Sequence, residues 1–330
     1  MVPRLIGWGF LFMLVVGMDV ANAASEIGDA SPFASYVPLD KSLSGQFTVV
    51  GSGVMSKMLR LLEESYEAMY PDMDLNLSAP SSAAVPTGLI KGTIAVGAMS
   101  RPMYPSEKQA FLEKHGFPIQ EFQIARDALL IVVNRTNPLP GITMAQLDGI
   151  YSESRLRGGE KIETWSDLGL AGEWTSQPVK AFGGGKGWGT TTTFENLVCE
   201  SAVSRSGILV DDIEEGIPQA VARDPYAIGY TCLGTTQADI KALPIAEKSG
   251  DPLVAPNAEN LLNGTYPLER DLYLYVAPDG GGRVPPAVEE FVRFILSKQG
   301  QEVVAKSGMI PLSHRVKKQG VELPLNPPMD

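Results

Sequence analysis

Three short segments hold the residue types that could do chemistry. The first is Gly183-Gly184-Gly185-Lys186-Gly187-Trp188-Gly189, followed by four threonines, Thr190 to Thr193. The second is Gly51-Ser52-Gly53, and the third is Ser81-Ser82. Each lies between an apolar stretch of strand character and a stretch read as helix. A strand, a loop of glycine and small hydroxyl residues, and then a helix present free backbone N–H groups at a helix N-terminus. That arrangement suits an anion. Glycine lets the backbone come close to a ligand, and Ser and Thr add hydroxyl donors. Taken singly, each of these loops reads as a helix cap before it reads as a ligand site. Three together point to a cleft lined by N–H and O–H donors that takes an oxyanion or another small polar ligand.

Other chemistries are excluded by spacing. A P-loop needs Ser or Thr after Gly-Lys, but Gly187 follows Lys186. A dinucleotide fingerprint started at Gly185 ends on Thr190 where glycine is required. There is no Gly-x-Ser-x-Gly elbow. His115 and His314 have no Ser or Cys nucleophile beside them and read as surface histidines. Glu63-Glu64 and Glu214-Glu215 are neighbours in sequence, so they do not face each other across a cleft. With 2 Cys and 2 His, zinc ribbons, zinc fingers and a disulfide-dense scaffold are excluded. No enzyme, metal or cofactor is expected. Lys+Arg of 27 against Asp+Glu of 38 leaves a net charge of −11, which excludes a nucleic-acid binder.

These loops need a scaffold. The chain has 330 residues, of which 44% are hydrophobic and 20% charged, enough for two globular domains. Gln46–Val50 reads as a strand. Met55, Met58, Leu59, Leu62, Tyr66 and Met69 then recur with a 3.6-residue period until Pro71. Leu75–Ser78 and Ile94–Met99 are further strands, so β-loop-α repeats imply a mostly parallel sheet with helices on both faces. Ala128–Val133, Val179–Phe182, Ile228–Thr231 and Leu272–Val276 are strongly apolar strands. Helices are expected over Met144–Ile150, from about Thr191 to Glu200, and on the stripe Ala287, Val288, Phe291, Val292, Ile295, Leu296.

The N-terminus reads as an export signal. Arg4 precedes a charge-free run from Leu5 to Met18, 14 residues long, and Ala21-Asn22-Ala23 follows. That run is shorter than the ~18–20 apolar residues a membrane span needs. A signal peptide over residues 1–23 is therefore expected, with release of the mature chain into an oxidising compartment. There Cys199 and Cys232 could pair or stay as buried thiols, and the sequence leaves both open.

The residues also resemble a known family, the periplasmic phosphate-binding proteins of phosphate ABC transporters. The resemblance is carried by Val49-Val50-Gly51-Ser52-Gly53, Leu89-Ile90-Lys91-Gly92-Thr93 and Gly97-Ala98-Met99-Ser100-Arg101-Pro102-Met103. It continues through Thr164-Trp165-Ser166-Asp167-Leu168-Gly169-Leu170, Gly189-Thr190, Ile228-Gly229-Tyr230, Tyr266-Pro267-Leu268 and the run from Phe294 to Glu302. It implies an α/β fold of the type II periplasmic-binding-protein class, with two α/β lobes joined by two crossover strands. Ala128–Val133 and Leu272–Val276 would be the crossovers. The division is then a signal peptide (1–23), a leader (24–43), lobe 1 (44–128 and 273–315), lobe 2 (129–272) and a loose tail (316–330). It further implies a periplasmic monomer that captures phosphate or a related oxyanion for an ABC permease in the inner membrane.

The implied ligand set is Gly51, Ser52, Gly53, Ser82, Lys186, Trp188, Gly189, Thr190 and Thr191. Against the family pattern, Ala95 stands where an acid accepts the phosphate proton, Gly184 where an Arg stands, and Trp188 where a Ser precedes Gly-Thr. Lys186 could supply the missing charge. Weak preference for phosphate over sulfate follows, unless Asp127 or Glu195 reaches the site. The other reading is a periplasmic sensor or interaction module whose anion site has degenerated, with Trp188 plugging the cleft or meeting an apolar ligand.

Overall fold

A computed structural model of the protein describes residues 33–211, 216–235 and 238–312. The expected signal peptide, the loose tail and Glu214-Glu215 lie outside the described residues. In chain order the first part comprises β1 (Gly45–Gly51), α1 (Ser56–Met69), β2 (Met73–Ser78), α2 (Ala84–Lys91), β3 (Val96–Met99), α3 (Pro105–His115) and β4 (Gln120–Asn134). Next come β5 (Ile142–Thr143), α4 (Met144–Tyr151), β6 (Lys180–Gly184), α5 (Gly189–Leu197), β7 (Leu209–Asp211), α6 (Gly216–Arg223) and β8 (Ala227–Cys232). The remainder is β9 (Ile240–Ala242), β10 (Ile245–Ala246), α7 (Ala258–Asn263), β11 (Glu269–Val276), α8 (Pro286–Ile295) and α9 (Lys298–Ser307).

The sheet order is β2-β1-β3-β11-β4-β8-β6-β7, with β9 beside β4. β1 is parallel to both β2 and β3, and β11 runs antiparallel between β3 and β4. The apolar period expected after Gly53 forms α1, whose Met58, Leu59, Leu62 and Tyr66 are buried. They pack under one face of the sheet with Phe291 and Val304 from α8 and α9. Val85, Leu89 and Phe111 from α2 and α3 cover the other face at β3. Burial on both faces is what a parallel strand set requires.

β4 is the strand on which the two halves depend. Its residues Gln120–Ala128 pair with β11, and Leu129–Val133 pair with β8. Ala125 belongs to the core that holds α1 and α8, whereas Ala128 to Val133 belong to the core that holds α4, α5 and α6. The return is made in the first residues of β11, since Leu268 packs in the second core and Leu272 in the first. The run Leu272–Val276 is therefore not itself a crossing. It is apolar because it is enclosed between β3 and β4. We propose the two-lobe division expected from the sequence, with the second crossing placed earlier, between Leu268 and Leu272.

Of the leader, residues 33–43 carry no helix or strand, yet they are fastened to the first lobe. Tyr36 packs edge-on against Phe294, and its hydroxyl donates to Glu290 Oε1 at 2.7 Å. Tyr70 Oη (2.9 Å) and the Leu39 N–H (3.1 Å) donate to the same oxygen, and Arg293 pairs with Oε2. Burial pushes the Glu290 carboxyl up, but the donors from Tyr36, Leu39, Tyr70 and Arg293 outweigh it and hold the group below its ordinary value. A carboxyl lowered in the fold adds stability above its unfolded value, 4.5, and loses that contribution as pH falls through the folded value. Glu290→Gln is therefore expected to cost roughly 1–3 kcal/mol at neutral pH. Denaturant melts of both proteins should show the gap closing at acid pH.

Candidate functional site

Three serines meet at the carboxyl edge of the first lobe's sheet. Ser52 directly follows β1, Ser100 directly follows β3, and Ser82 stands on the loop between β2 and α2. All are buried, at 1%, 0% and 0% exposure for Ser52, Ser82 and Ser100. Ser100 Oγ lies 3.0 Å from Ser52 Oγ and 3.2 Å from Ser82 Oγ. The Ser100 N–H donates to Ser82 Oγ at 3.1 Å. Neither the turn after Ser52 nor α2 is capped by a side chain, so these hydroxyls are not spent on helix ends.

The N-terminus of α5 comes against this cluster. Its N-cap residue is Trp188, which supplies no side-chain cap. The first N–H groups of a helix point outward along its axis and carry partial positive charge. Gly189 opens the helix. A Cβ there would sit 2.1 Å from Ser100 Oγ and 2.7 Å from Ser82 Oγ, so any larger residue would have to turn both hydroxyls away. Thr193 donates its hydroxyl to the Ser100 carbonyl at 3.3 Å. Thr190 and Thr191 are buried. Gly187 turns the loop at φ +85°, where a Cβ would stand 3.3 Å from the Cβ of Ala83. The glycine-rich loop of one lobe thus touches the serine loop of the other.

Tyr230 on β8 fixes the strand-to-helix junction. Its hydroxyl accepts from the Gly184 N–H at 3.1 Å and donates to Thr191 Oγ1 at 3.3 Å. Burial pushes this phenol up to about 12, so it stays protonated and can keep both roles. Its ring stacks on Phe194 of α5 at 4.0 Å.

A buried ion pair borders the same place. Arg270 at the start of β11 lies opposite Asp127 of β4. Its Nε and Nη2 both donate to Asp127 Oδ2, at 3.0 and 2.7 Å. Nη2 also donates to Thr190 Oγ1 at 3.2 Å.

Of the residues expected from the sequence, Ser52, Ser82, Gly189, Thr190 and Thr191 come together here. Gly51 is buried beside them, but its hydrogen faces Leu59 and Ala98, where a Cβ would be 2.9 and 3.2 Å from side-chain carbons, so its role is packing. Gly53 is exposed at the start of a short turn. Lys186 is exposed on the loop. Trp188 is half-buried and lies over Gly184, where a Cβ would be 2.7 Å from Trp188 Cε3. Its indole occupies the space that an arginine at 184 would need.

Ala95 is corrected. It precedes β3, packs against the apolar core, and accepts the Ala277 N–H. The hydroxyl cluster is at the other end of the strand, five residues or about 16 Å away. Ser100, directly after β3, is the residue that joins the hydroxyls. The acids named as substitutes are committed elsewhere. Asp127 holds Arg270 and the Leu233 N–H, and Glu195 accepts from Ser204. Ser100, Arg270, Thr193 and Tyr230 were not among the expected contacts. Cys199 and Cys232 are buried in different cores. Burial first, then Asp148 and Glu195, push Cys199 up to about 12, so it is inert at neutral pH. His115 is not a bare surface residue either: it stacks on Phe111, and its Nε2 donates to the Leu89 and Ile90 carbonyls.

Gly189→Ala should leave both lobes folded but hold them apart. Small-angle scattering is expected to give a larger radius of gyration than wild type. Anion affinity should fall about tenfold or more, since an overpacked contact costs ~1–3 kcal/mol and falls only on the closed form.

Residues 38–299 match the PBP superfamily domain. A phosphate-binding protein PstS of Pseudomonas aeruginosa is 35% identical over 314 residues, covering 94% of this chain and 96% of that protein. A possible phosphate binding protein from Planctomyces limnophilus superposes with a TM-score of 0.60 at 26% identity, covering 84% of this chain and 96% of the other. A putative phosphate ABC transporter substrate-binding protein with bound phosphate, from Clostridium perfringens, shares the fold with a TM-score of 0.67 at 24% identity, covering 81% and 99%. The strand-loop-helix donors, the two cores joined through β4 and these likenesses agree: the chain belongs to the PBP superfamily and, within it, to the PstS family of phosphate-binding proteins, with the type II fold.

Proposed function

We propose that the protein is exported to the periplasm, where it captures phosphate between its lobes and delivers it to an ABC permease without transforming it. One observation supports this reading above the others: three buried serine hydroxyls stand against an uncapped helix N-terminus that begins with glycine. Backbone N–H groups, hydroxyls and a helix dipole together solvate an oxyanion without water. Relatives named for phosphate binding support the choice of anion. Among the described residues no helix is long and apolar enough to cross a membrane. A degenerate site would show broken donors, and here Ser52, Ser82, Ser100 and the α5 terminus form one connected set.

The donor set shapes the choice of anion. Phosphate at neutral pH still carries a proton that it can donate, and sulfate carries none. A carboxylate in the site would accept that proton and repel sulfate. Serine hydroxyls accept or donate, so they can bond either anion and repel neither. Calorimetric titration of the purified protein with phosphate, sulfate and arsenate is expected to show phosphate binding, with sulfate within about tenfold. Ser100→Asp should raise the preference for phosphate, whereas Ala95→Asp should leave it unchanged. Exclusion of sulfate by ~1000-fold in wild type, about 4 kcal/mol, would mean that another acceptor faces the ligand.

A further inference from the structure

We infer that Arg270, held by Asp127, is the cationic ligand of the bound oxyanion in this chain and takes over the part that Gly184 leaves empty in the loop. The inference rests on the oxyanion-binding reading above and names its charged contact.

Four observations on Arg270 carry it. Its side chain is 4% exposed, so its charge is directed inward and not to solvent. A guanidinium has five N–H donors. Nε and Nη2 are used on Asp127 and Thr190, and Nη1 is buried without a partner. Asp127 occupies the Nε side of the fork, which leaves the Nη1–Nη2 edge as the presenting end. That edge abuts Thr190, the second residue of α5, whose N-terminus faces the serines. The strand register brings the residue to the right level. β11 is antiparallel to β3 with Tyr273 opposite Met99, so Arg270 lies beyond the carboxyl end of β3, on the side where Ser100 stands.

Arg101, Arg126 and Lys186 are engaged elsewhere or exposed. Arg101, next to Ser100, is engaged by both oxygens of Glu107, each at 2.9 Å. Arg126 is paired with Glu269 at 2.6 Å. Lys186 is exposed. Trp188 fills the space over Gly184, so no longer side chain could serve from that position. A planar fork suits an oxyanion better than a lysine's point charge. Asp127 is a positioning residue: it fixes the guanidinium in one orientation and does not meet the anion.

The competing account is that Arg270 only neutralises Asp127. A mutant cycle read by phosphate titration separates the two. For a ligand, Arg270→Gln lowers affinity by about ten- to hundredfold, as loss of a charged hydrogen bond does. The double variant Asp127→Asn with Arg270→Gln stays equally weak, although it leaves no buried charge unpaired and so folds even where the single variant does not. Lys186→Ala stays within about twofold of wild type. For a merely structural arginine, the double variant regains wild-type affinity, and that result overturns the proposal. A loss on Lys186→Ala with none on Arg270→Gln overturns it as well. Wild-type protein that takes up neither phosphate, sulfate nor arsenate would overturn the oxyanion reading itself, and the proposal with it. Wild type that binds phosphate no better than the double variant would overturn the arginine's role alone.

Discussion

A guanidinium withdrawn from water has to be neutralised where it sits, and here Asp127 does this for Arg270 from the facing position of the neighbouring strand. Directly opposed residues of an antiparallel pair have Cβ atoms about 4.5–5.5 Å apart, close enough for two hydrogen bonds to one carboxylate oxygen. The pair lies where β4 leaves one core for the other, so it is anchored in both lobes' framework. Such a pair adds little net stability, but removing one member strands a buried charge at a cost of about 3–5 kcal/mol. It also organises its surroundings. Asp127 Oδ1 accepts the Leu233 N–H after β8, and Arg270 reaches Thr190 at the head of α5.

The rest of the site follows from strand direction. In open α/β sheets ligands gather outside the carboxyl ends of the strands, where loops feed into helices. β1 and β3 are parallel neighbours, so Ser52 and Ser100 leave the sheet side by side. β11 runs the opposite way, and that reversal delivers its first residues to the same edge. The second lobe contributes a helix end. Its fit depends on Gly189, because two serine oxygens take the volume of a Cβ.

How much of this is legible in the chain depends on how local each cause is. Ser52, Ser82 and the Gly189–Thr191 turn could be read because strand end, small hydroxyl and helix start are adjacent in sequence. Ser100 obeys half of that rule. The next helix begins only at Pro105, so no strand-loop-helix signal marks it. Arg270 shows no local signal at all, since its meaning depends on Asp127, 143 residues away. α3 is similar in kind: among its residues only Phe111 is buried, so no apolar stripe exists to be found. The amino half of β4 mixes Gln123, Arg126 and Asp127 with apolar residues because these side chains have partners across on β11 and beyond. A period-two pattern fails wherever polar residues are buried in pairs.

The division of labour between hydroxyls and charge follows from what each group already bonds. Ser100 hydrogen-bonds both Ser52 and Ser82. An anion oxygen that engages them replaces a hydroxyl–hydroxyl bond with a charge-assisted one, and such an exchange gains only the difference between the two. Arg270 Nη1 has no bond to give up. A buried donor of that kind recovers its whole desolvation cost when a partner arrives. The serines therefore set the shape and spacing that an oxyanion must match, while the arginine and the α5 terminus supply most of the attraction. Because Arg270 stands on the strand that leads back from one core to the other and Thr190 stands on the far lobe, the same contact that attracts the anion also draws the lobes together. The charge that meets the anion then belongs to the strand between the two cores and not to the loop.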